Sequence, residues 1–125
     1  MRILLVDDSK VMRGLQKRCL AALGEHEFAE ANDGVEALAV LAASTAKFDF
    51  VLIDWNMPNM DGLTLASKIR ATDKATPLIM CTTEAERERV MSAIQAGVNN
   101  YVVKPFTAES LSERVKQTLD KLKAA

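Results

Sequence analysis

The sequence contains few of the residues that stabilise secreted proteins or bind nucleic acids. Among its 125 residues are only two cysteines, three prolines and five glycines, and aromatic residues account for 5%. Cys19 and Cys81 form no C-x-x-C motif and have no histidine at ligand spacing, so we expect free buried thiols rather than a disulfide framework or a zinc site. A formal net charge of -1, from 16 basic and 17 acidic residues, argues against direct DNA binding.

Long apolar segments are also missing. The longest stretch without a charged residue, Val90 to Val103, is too short to cross a bilayer, which takes about 20 apolar residues. The apolar run Ile3 to Val6 is too short for a signal peptide. We therefore expect a cytoplasmic protein without membrane insertion. A hydrophobic fraction of 49% and a charged fraction of 26% are typical of a soluble globular domain, and the length fits one such domain.

Short apolar runs alternate along the chain with longer segments of helical periodicity. This order predicts an α/β fold with a parallel sheet that helices cover on both faces. The runs predicted as interior strands are Ile3–Val6, Phe50–Ile53, Pro77–Cys81 and Tyr101–Val103, and the weaker run Phe28–Ala31 predicts an edge strand. Leu15, Val35 and Ile94 belong to the apolar stripes of the helices between them, and Asp61 and Thr107 are predicted helix N-caps.

Polar residues follow the predicted strands at their carboxyl ends. Asp7 and Asp8 follow the first strand, Asp54 the third, Thr82 the fourth and Lys104 the fifth. The carboxyl ends of parallel strands share one edge of the sheet, where ligands bind in such folds. Three carboxylates at one place repel one another unless a cation neutralises them, and ligands that are all oxygen favour Mg²⁺ or Mn²⁺.

These groups together suit chemistry on a phosphoryl group. Asp54 can attack phosphorus as a nucleophile and form an acyl phosphate, while Lys104 balances charge on the transferring oxygens and Thr82 donates a hydrogen bond. Singly, each residue also has an ordinary structural explanation, as a helix cap, a turn residue or a solvated lysine. The arrival of compatible groups at four strand ends favours a functional site.

Several motifs resemble the response-regulator receiver domains of two-component systems. They are the segments Leu5–Asp8, Asp54–Gly62 and Val103–Phe106, together with Thr82. The resemblance extends over the whole chain and implies a three-layer, doubly wound (βα)5 flavodoxin-like fold, with five parallel strands in the order 2-1-3-4-5. It also implies one receiver, or response regulatory, domain over residues 1–125, with no output domain.

The resemblance implies a metal-binding phosphoprotein. Asp54 is the implied phosphoacceptor, which would carry the aspartyl phosphate. Asp8, Asp54 and the carbonyl of Asn56 are implied direct ligands of Mg²⁺, with Mn²⁺ as an alternative, and Asp7 a ligand through water. Trp55 is expected to be exposed and to report metal and phosphate binding by its fluorescence.

Further roles follow from the same resemblance. Lys104 and Thr82 would contact the phosphoryl group, and the peptide bond between Lys104 and Pro105 would be cis. Thr82 and Tyr101 would switch conformation on phosphorylation, although a strand tyrosine is also commonly just a packed aromatic. Asn56 and Glu84 occupy positions that tune hydrolysis of the acyl phosphate.

The implied function is signal transduction. A histidine kinase would phosphorylate the chain, which would catalyse only its own phosphorylation and dephosphorylation and would act as a monomer. The implied pathway is chemotaxis, with a flagellar motor switch protein as target and a phosphatase as a further partner. Service as a phosphorelay intermediate, or in a pathway unrelated to motility, is the alternative.

The residues after the first predicted strand argue against two other classes of protein. A metal-dependent phosphatase with an aspartyl phosphate intermediate typically has a D-x-D pair there, whereas Asp7 and Asp8 are adjacent in this chain. A flavin or dinucleotide module needs a glycine-rich loop at that position, where this sequence has two anions followed by Ser9 and Lys10. Both readings are therefore disfavoured.

Overall fold

The computed structural model describes residues 1–83 and 87–124. The strands are β1 (Arg2–Val6), β2 (Glu27–Ala31), β3 (Phe50–Asp54), β4 (Leu78–Thr82) and β5 (Asn100–Val103). The helices are α1 (Lys10–Leu20), α2 (Gly34–Ala43), α3 (Gly62–Thr72), α4 (Arg87–Gln95) and α5 (Ala108–Ala124), and a short 3₁₀ turn at Ala21–Leu23 extends α1. Within the described ranges no helix is long and apolar enough to cross a membrane.

The five strands form one parallel sheet in the order β2-β1-β3-β4-β5. This confirms the predicted fold class and strand order. The apolar composition of β1 and β3 agrees with their place inside the sheet, where both faces of a strand are buried. Register pairs Val6 with Ile53, Asp54 with Cys81 and Thr82 with Val103, so the ends of four strands lie along one edge.

The core has two layers, one on each face of the sheet. Alternate residues of a strand point to opposite faces, so Leu4 of β1 belongs to one layer and Leu5 to the other. The first layer is completed by apolar residues of α2, α3 and α4, among them Ala37, Leu65 and Ala93. The second is completed by α1 and α5, through residues that include Leu20, Leu111 and Val115. The helices thus seal both faces and leave the carboxyl edge accessible.

Some sequence predictions about burial are wrong. The segment Tyr101–Val103 is not an interior strand, because among the described strands β5 pairs with β4 alone, and Val103 is 39% exposed. Leu15, Val35 and Ile94 are exposed although they share the helical spacing of buried neighbours. In α1 the buried face instead includes the polar residues Arg13 and Gln16.

Local capping fixes where the helices begin. Asp61 accepts a hydrogen bond from the backbone N–H of Thr64, at 2.8 Å. Thr107 accepts one from the N–H of Ser110, at 3.0 Å. Both predicted N-caps are confirmed, since each side chain satisfies an N–H that the first helical turn leaves without a partner. These caps define the loops that follow β3 and β5 at the carboxyl edge.

Candidate functional site

An acidic cluster lies where β1 and β3 end beside each other. Asp7, Asp8 and Asp54 each offer a carboxylate oxygen, and these oxygens lie within 4.8 Å of one another. Asp7 is 1% exposed and Asp54 is 6% exposed, whereas Asp8 faces solvent. The backbone N–H of Ser9 donates to Asp7 Oδ1 at 2.9 Å and fixes that side chain at the start of α1. Two of the three carboxylates are therefore buried in the domain, and the cluster is open to solvent on the side of Asp8.

Lys104 reaches the cluster from the far side of β4. Its Nζ donates to Asp54 Oδ1 at 2.9 Å and to Asp7 Oδ2 at 3.2 Å, and its side chain is 13% exposed. Its backbone N–H donates to the carbonyl of Thr82 at 2.8 Å, and the peptide bond to Pro105 is cis, as the resemblance implied. One ammonium therefore contacts two of the three carboxylates in the cluster, which leaves the cluster with excess negative charge.

This crowding shifts the protonation equilibria of the site. Burial raises the pKa of Asp54 above its ordinary value; the hydrogen bond from Lys104 opposes this, and the charges of Asp7 and Asp8 add to it. Burial alone would lower the pKa of Lys104, but its hydrogen bond and charge interactions with Asp54 and Asp7 raise it overall. A divalent cation would remove the repulsion among the carboxylates, and a donor set made of oxygen fits Mg²⁺.

Three further residues predicted for the site are Thr82, Asn56 and Glu84. Thr82 is the last residue of β4, the strand between β3 and β5, and it is buried. Asn56 lies two residues beyond Asp54 on the exposed loop after β3. Glu84 lies outside the described residues. The structure thus places Thr82 at the carboxyl edge and leaves the roles predicted for Asn56 and Glu84 as predictions.

Tyr101 lies within β5, paired with Met80 and three residues before Lys104. It is half-buried, packs against the core layer of α2, α3 and α4, and has the Arg114 guanidinium 5.1 Å from its ring centroid. This packing agrees with an ordinary strand aromatic, and a switching role for Tyr101 is still a prediction.

Two residues near the site have surroundings that the sequence did not reveal. Trp55 is 8% exposed, so the expectation of an exposed side chain is wrong; the Arg89 guanidinium of α4 lies 4.7 Å from its ring centroid. Arg13 of α1 is buried and donates to the backbone carbonyl of Asp7. The Trp55 contact joins residues far apart in the chain. The Arg13 contact spans only six residues, but the helical spacing of α1 does not predict that a charged side chain is buried there.

Comparison with known proteins agrees with this geometry. Residues 3–116 match the response regulator receiver domain family. The chain is 47% identical to chemotaxis protein CheY-3 of Vibrio cholerae over 98% of its length and 94% of that protein's, and 45% identical to chemotaxis protein CheY of Pseudomonas aeruginosa over 98% of both. A high-resolution structure of the Vibrio cholerae chemotaxis response regulator CheY4 superposes with a TM-score of 0.85 at 34% identity, covering 94% of this chain and 97% of that one.

The family match over residues 3–116 spans the strand ends that carry the acidic cluster and Lys104. The strand order β2-β1-β3-β4-β5 and the placement of the site at the carboxyl edge agree with it. The chain belongs to the response-regulator receiver domains of two-component signal transduction, among which it is a homologue of the chemotaxis regulators.

Proposed function

We propose that the chain accepts a phosphoryl group on Asp54 from a histidine kinase, with Mg²⁺ bound in the acidic cluster, and signals by binding a target protein in the phosphorylated state. The observation that supports this most strongly is the contact of one ammonium, Lys104, with two carboxylates, Asp7 and Asp54, beside a third at Asp8. A structural salt bridge needs one carboxylate, whereas three carboxylates beside one lysine leave a net negative charge that a divalent cation would neutralise.

In the proposed reaction, a carboxylate oxygen of Asp54 forms a bond to phosphorus while the bond from phosphorus to the kinase's histidine nitrogen breaks. The product is an acyl phosphate, and the leaving imidazole keeps the electron pair. Lys104 would exchange part of its contact with Asp54 for the phosphoryl oxygens, and the Thr82 hydroxyl would donate to one of them.

The proposed Mg²⁺ ligands are Asp8, Asp54 and the Asn56 carbonyl, with Asp7 acting through water. When bound, the cation would neutralise charge on the transferring oxygens and on the cluster itself. Hydrolysis reverses the modification, because water attacks the same phosphorus and releases inorganic phosphate. The chain would thus catalyse only its own phosphorylation and dephosphorylation, and Asn56 and Glu84 would set the rate at which water enters.

The proposed output is chemotaxis, because relatives named as chemotaxis proteins are 45–47% identical over nearly the whole chain. The partners in this proposal are a chemotaxis histidine kinase, a flagellar motor switch protein and a phosphatase, and the protein would act in the cytoplasm as a monomer. Thr82 and Tyr101 would carry the signal, because new hydrogen bonds to the phosphoryl group would bias the conformation of the loop after β4 and of the aromatic side chain.

The test uses Trp55, the chain's single tryptophan, as a fluorescent reporter beside Asp54. Fluorescence is followed during titration with Mg²⁺ and then with beryllofluoride, which mimics a phosphoryl group on aspartate. We expect both ligands to change the signal of the wild type and the beryllofluoride response to vanish in Asp54→Asn. A wild type that responds to neither ligand, and that Mg²⁺ does not stabilise against heat, would refute the proposal.

The target is tested separately by capture on an immobilised peptide from a flagellar motor switch protein. We expect Mg²⁺ and beryllofluoride to increase binding of the wild type and to have no effect on Asp54→Asn. Loss of this dependence, with the fluorescence responses intact, would refute the chemotaxis assignment and favour a phosphorelay or another pathway.

A further inference from the structure

Arg13 is a buried cation beside the acidic cluster, and the proposed reaction does not use it. It lies on α1, five residues beyond Asp8, and is only 7% exposed. Removing a guanidinium from water is costly unless its N–H groups find acceptors, so a buried arginine commonly has a positional role. The acceptors around Arg13 show what it positions.

Three acceptors from three parts of the chain surround the guanidinium. Nη1 donates to the backbone carbonyl of Asp7, and also to Asn32 Oδ1 at 3.0 Å. Nε donates to Glu30 Oε1 at 2.9 Å. Asp7 immediately follows β1, Glu30 belongs to β2, and Asn32 precedes α2. One side chain of α1 therefore joins the carboxyl ends of two strands at the residue that starts the acidic cluster.

The guanidinium of Arg13 already forms an ion pair with Glu30, so its effect on the acidic cluster through position can be distinguished from its effect through charge. Glu30 accepts from Arg13 through one oxygen and from Lys17 Nζ through the other, at 2.9 Å, and these contacts lower the pKa of Glu30. Arg13 is therefore not the cation that balances Asp7, whose carboxylate contacts Lys104. If Arg13 acted only through its charge, removing it would strengthen the attraction of the cluster for a metal cation.

We propose that Arg13 is a positioning residue for the metal pocket, holding the backbone of Asp7 so that the Asp7 and Asp8 carboxylates face Asp54. The inference rests on the proposed Mg²⁺ site. The planar guanidinium of Arg13, with N–H donors that point in several fixed directions, contacts a backbone carbonyl and two side chains at once. The single ammonium of a lysine cannot reproduce these contacts.

The experiment compares Mg²⁺ dissociation constants, measured by Trp55 fluorescence, among the wild type, Arg13→Gln, Arg13→Lys and Lys17→Gln. We expect Arg13→Gln to bind Mg²⁺ about tenfold or more weakly, in the range typical for loss of a group that orients a metal ligand. Arg13→Lys should lie between Arg13→Gln and the wild type. Lys17→Gln removes the same charge and one of the two cationic partners of Glu30, but it leaves Asp7 untouched, so its affinity should stay within about twofold of the wild type.

Thermal midpoints in EDTA separate positioning from general stability. If the role of Arg13 were purely structural, Arg13→Gln would lower the thermal midpoint and leave the Mg²⁺ dissociation constant unchanged, and this result would overturn the inference. Tighter Mg²⁺ binding by Arg13→Gln, or equal weakening by Lys17→Gln, would overturn it as well. If Arg13→Gln does not fold, Arg13→Lys decides, because affinity equal to the wild type would mean that the guanidinium is not needed. Absence of Mg²⁺ binding by the wild type would instead refute the proposed function.

Discussion

Gly62 lies where the backbone of α3 comes closest to the strand that carries Asp54. It is the first residue of α3, and its N–H donates to the carbonyl of Trp55 at 2.8 Å. A Cβ atom added there would collide with the backbone carbonyl of Asp54 and would lie 2.9 Å from Met80 Sδ and 3.0 Å from Ile53 Cγ2. The methionine side chain can move away, but the carbonyl can move only if β3 moves.

We therefore expect Gly62→Ala to lower the free energy of unfolding by about 1–3 kcal/mol, the usual cost of adding a carbon to a filled site. For a domain of this size each kcal/mol corresponds to about 4 °C in thermal midpoint. Gly14→Ala is the matched control, because Gly14 lies inside α1 and a Cβ there meets nothing within 4 Å. It should stabilise the protein by about 0.5–1 kcal/mol, since alanine favours a helix more than glycine does.

The assay is urea unfolding followed by circular dichroism at neutral pH, in EDTA and again in Mg²⁺. The expected result is a change of opposite sign in the two variants, with Mg²⁺ stabilising Gly62→Ala less than the wild type because the Asp54 backbone has moved. If Gly62→Ala unfolds at the same urea concentration as the wild type, or above it, the close approach of α3 to β3 is incorrect.

Three further predictions concern the core, a loop and the site. Phe50→Ala should cost about 3–5 kcal/mol in urea unfolding, because Phe50 is fully buried in the core; a cost below about 1 kcal/mol would contradict this. Hydrogen bonds from Thr76 lower the pKa of Asp73, so the stabilisation by this carboxylate holds above its unfolded pKa of about 3.9 and disappears as pH falls through the folded pKa. Asp73→Asn should therefore unfold more easily than the wild type near pH 7, and the difference should shrink as pH falls below about 4; a constant difference would refute this. Lys104→Met should lower the free energy of unfolding by about 3 kcal/mol in EDTA, because it leaves the buried Asp54 carboxylate without the ammonium that pairs with it. The loss should be smaller in Mg²⁺, and equal losses in both conditions would count against the proposed metal site.

The sheet was predictable from the sequence because its central strands are buried on both faces. Phe50–Ile53 and Pro77–Cys81 are continuous apolar runs of the kind typical of such strands. The run Tyr101–Val103 has the same appearance, yet β5 lies at an edge, where α5 covers one side. Short apolar runs do not distinguish these positions, and the strand order itself came from the family resemblance.

The convergence of the charged groups was predictable for a different reason. Parallel strands bring their carboxyl ends to one edge, so Asp7 and Asp54 had to meet once β1 and β3 were neighbours. The surroundings of Arg13 and Trp55 were not predictable. Each depends on a long side chain crossing from another helix or strand, and its partner is fixed only when the whole domain has packed.

The most direct test of the account is to locate the phosphoryl group itself. The wild type and Asp54→Asn are incubated with a small acyl phosphate donor, with and without Mg²⁺, and analysed by intact mass spectrometry before and after hydroxylamine, which cleaves acyl phosphates. The account predicts that the wild type gains the mass of one phosphoryl group only with Mg²⁺, that hydroxylamine removes it, and that Asp54→Asn gains none. Equal labelling of Asp54→Asn, or labelling of the wild type that does not depend on Mg²⁺, would contradict it.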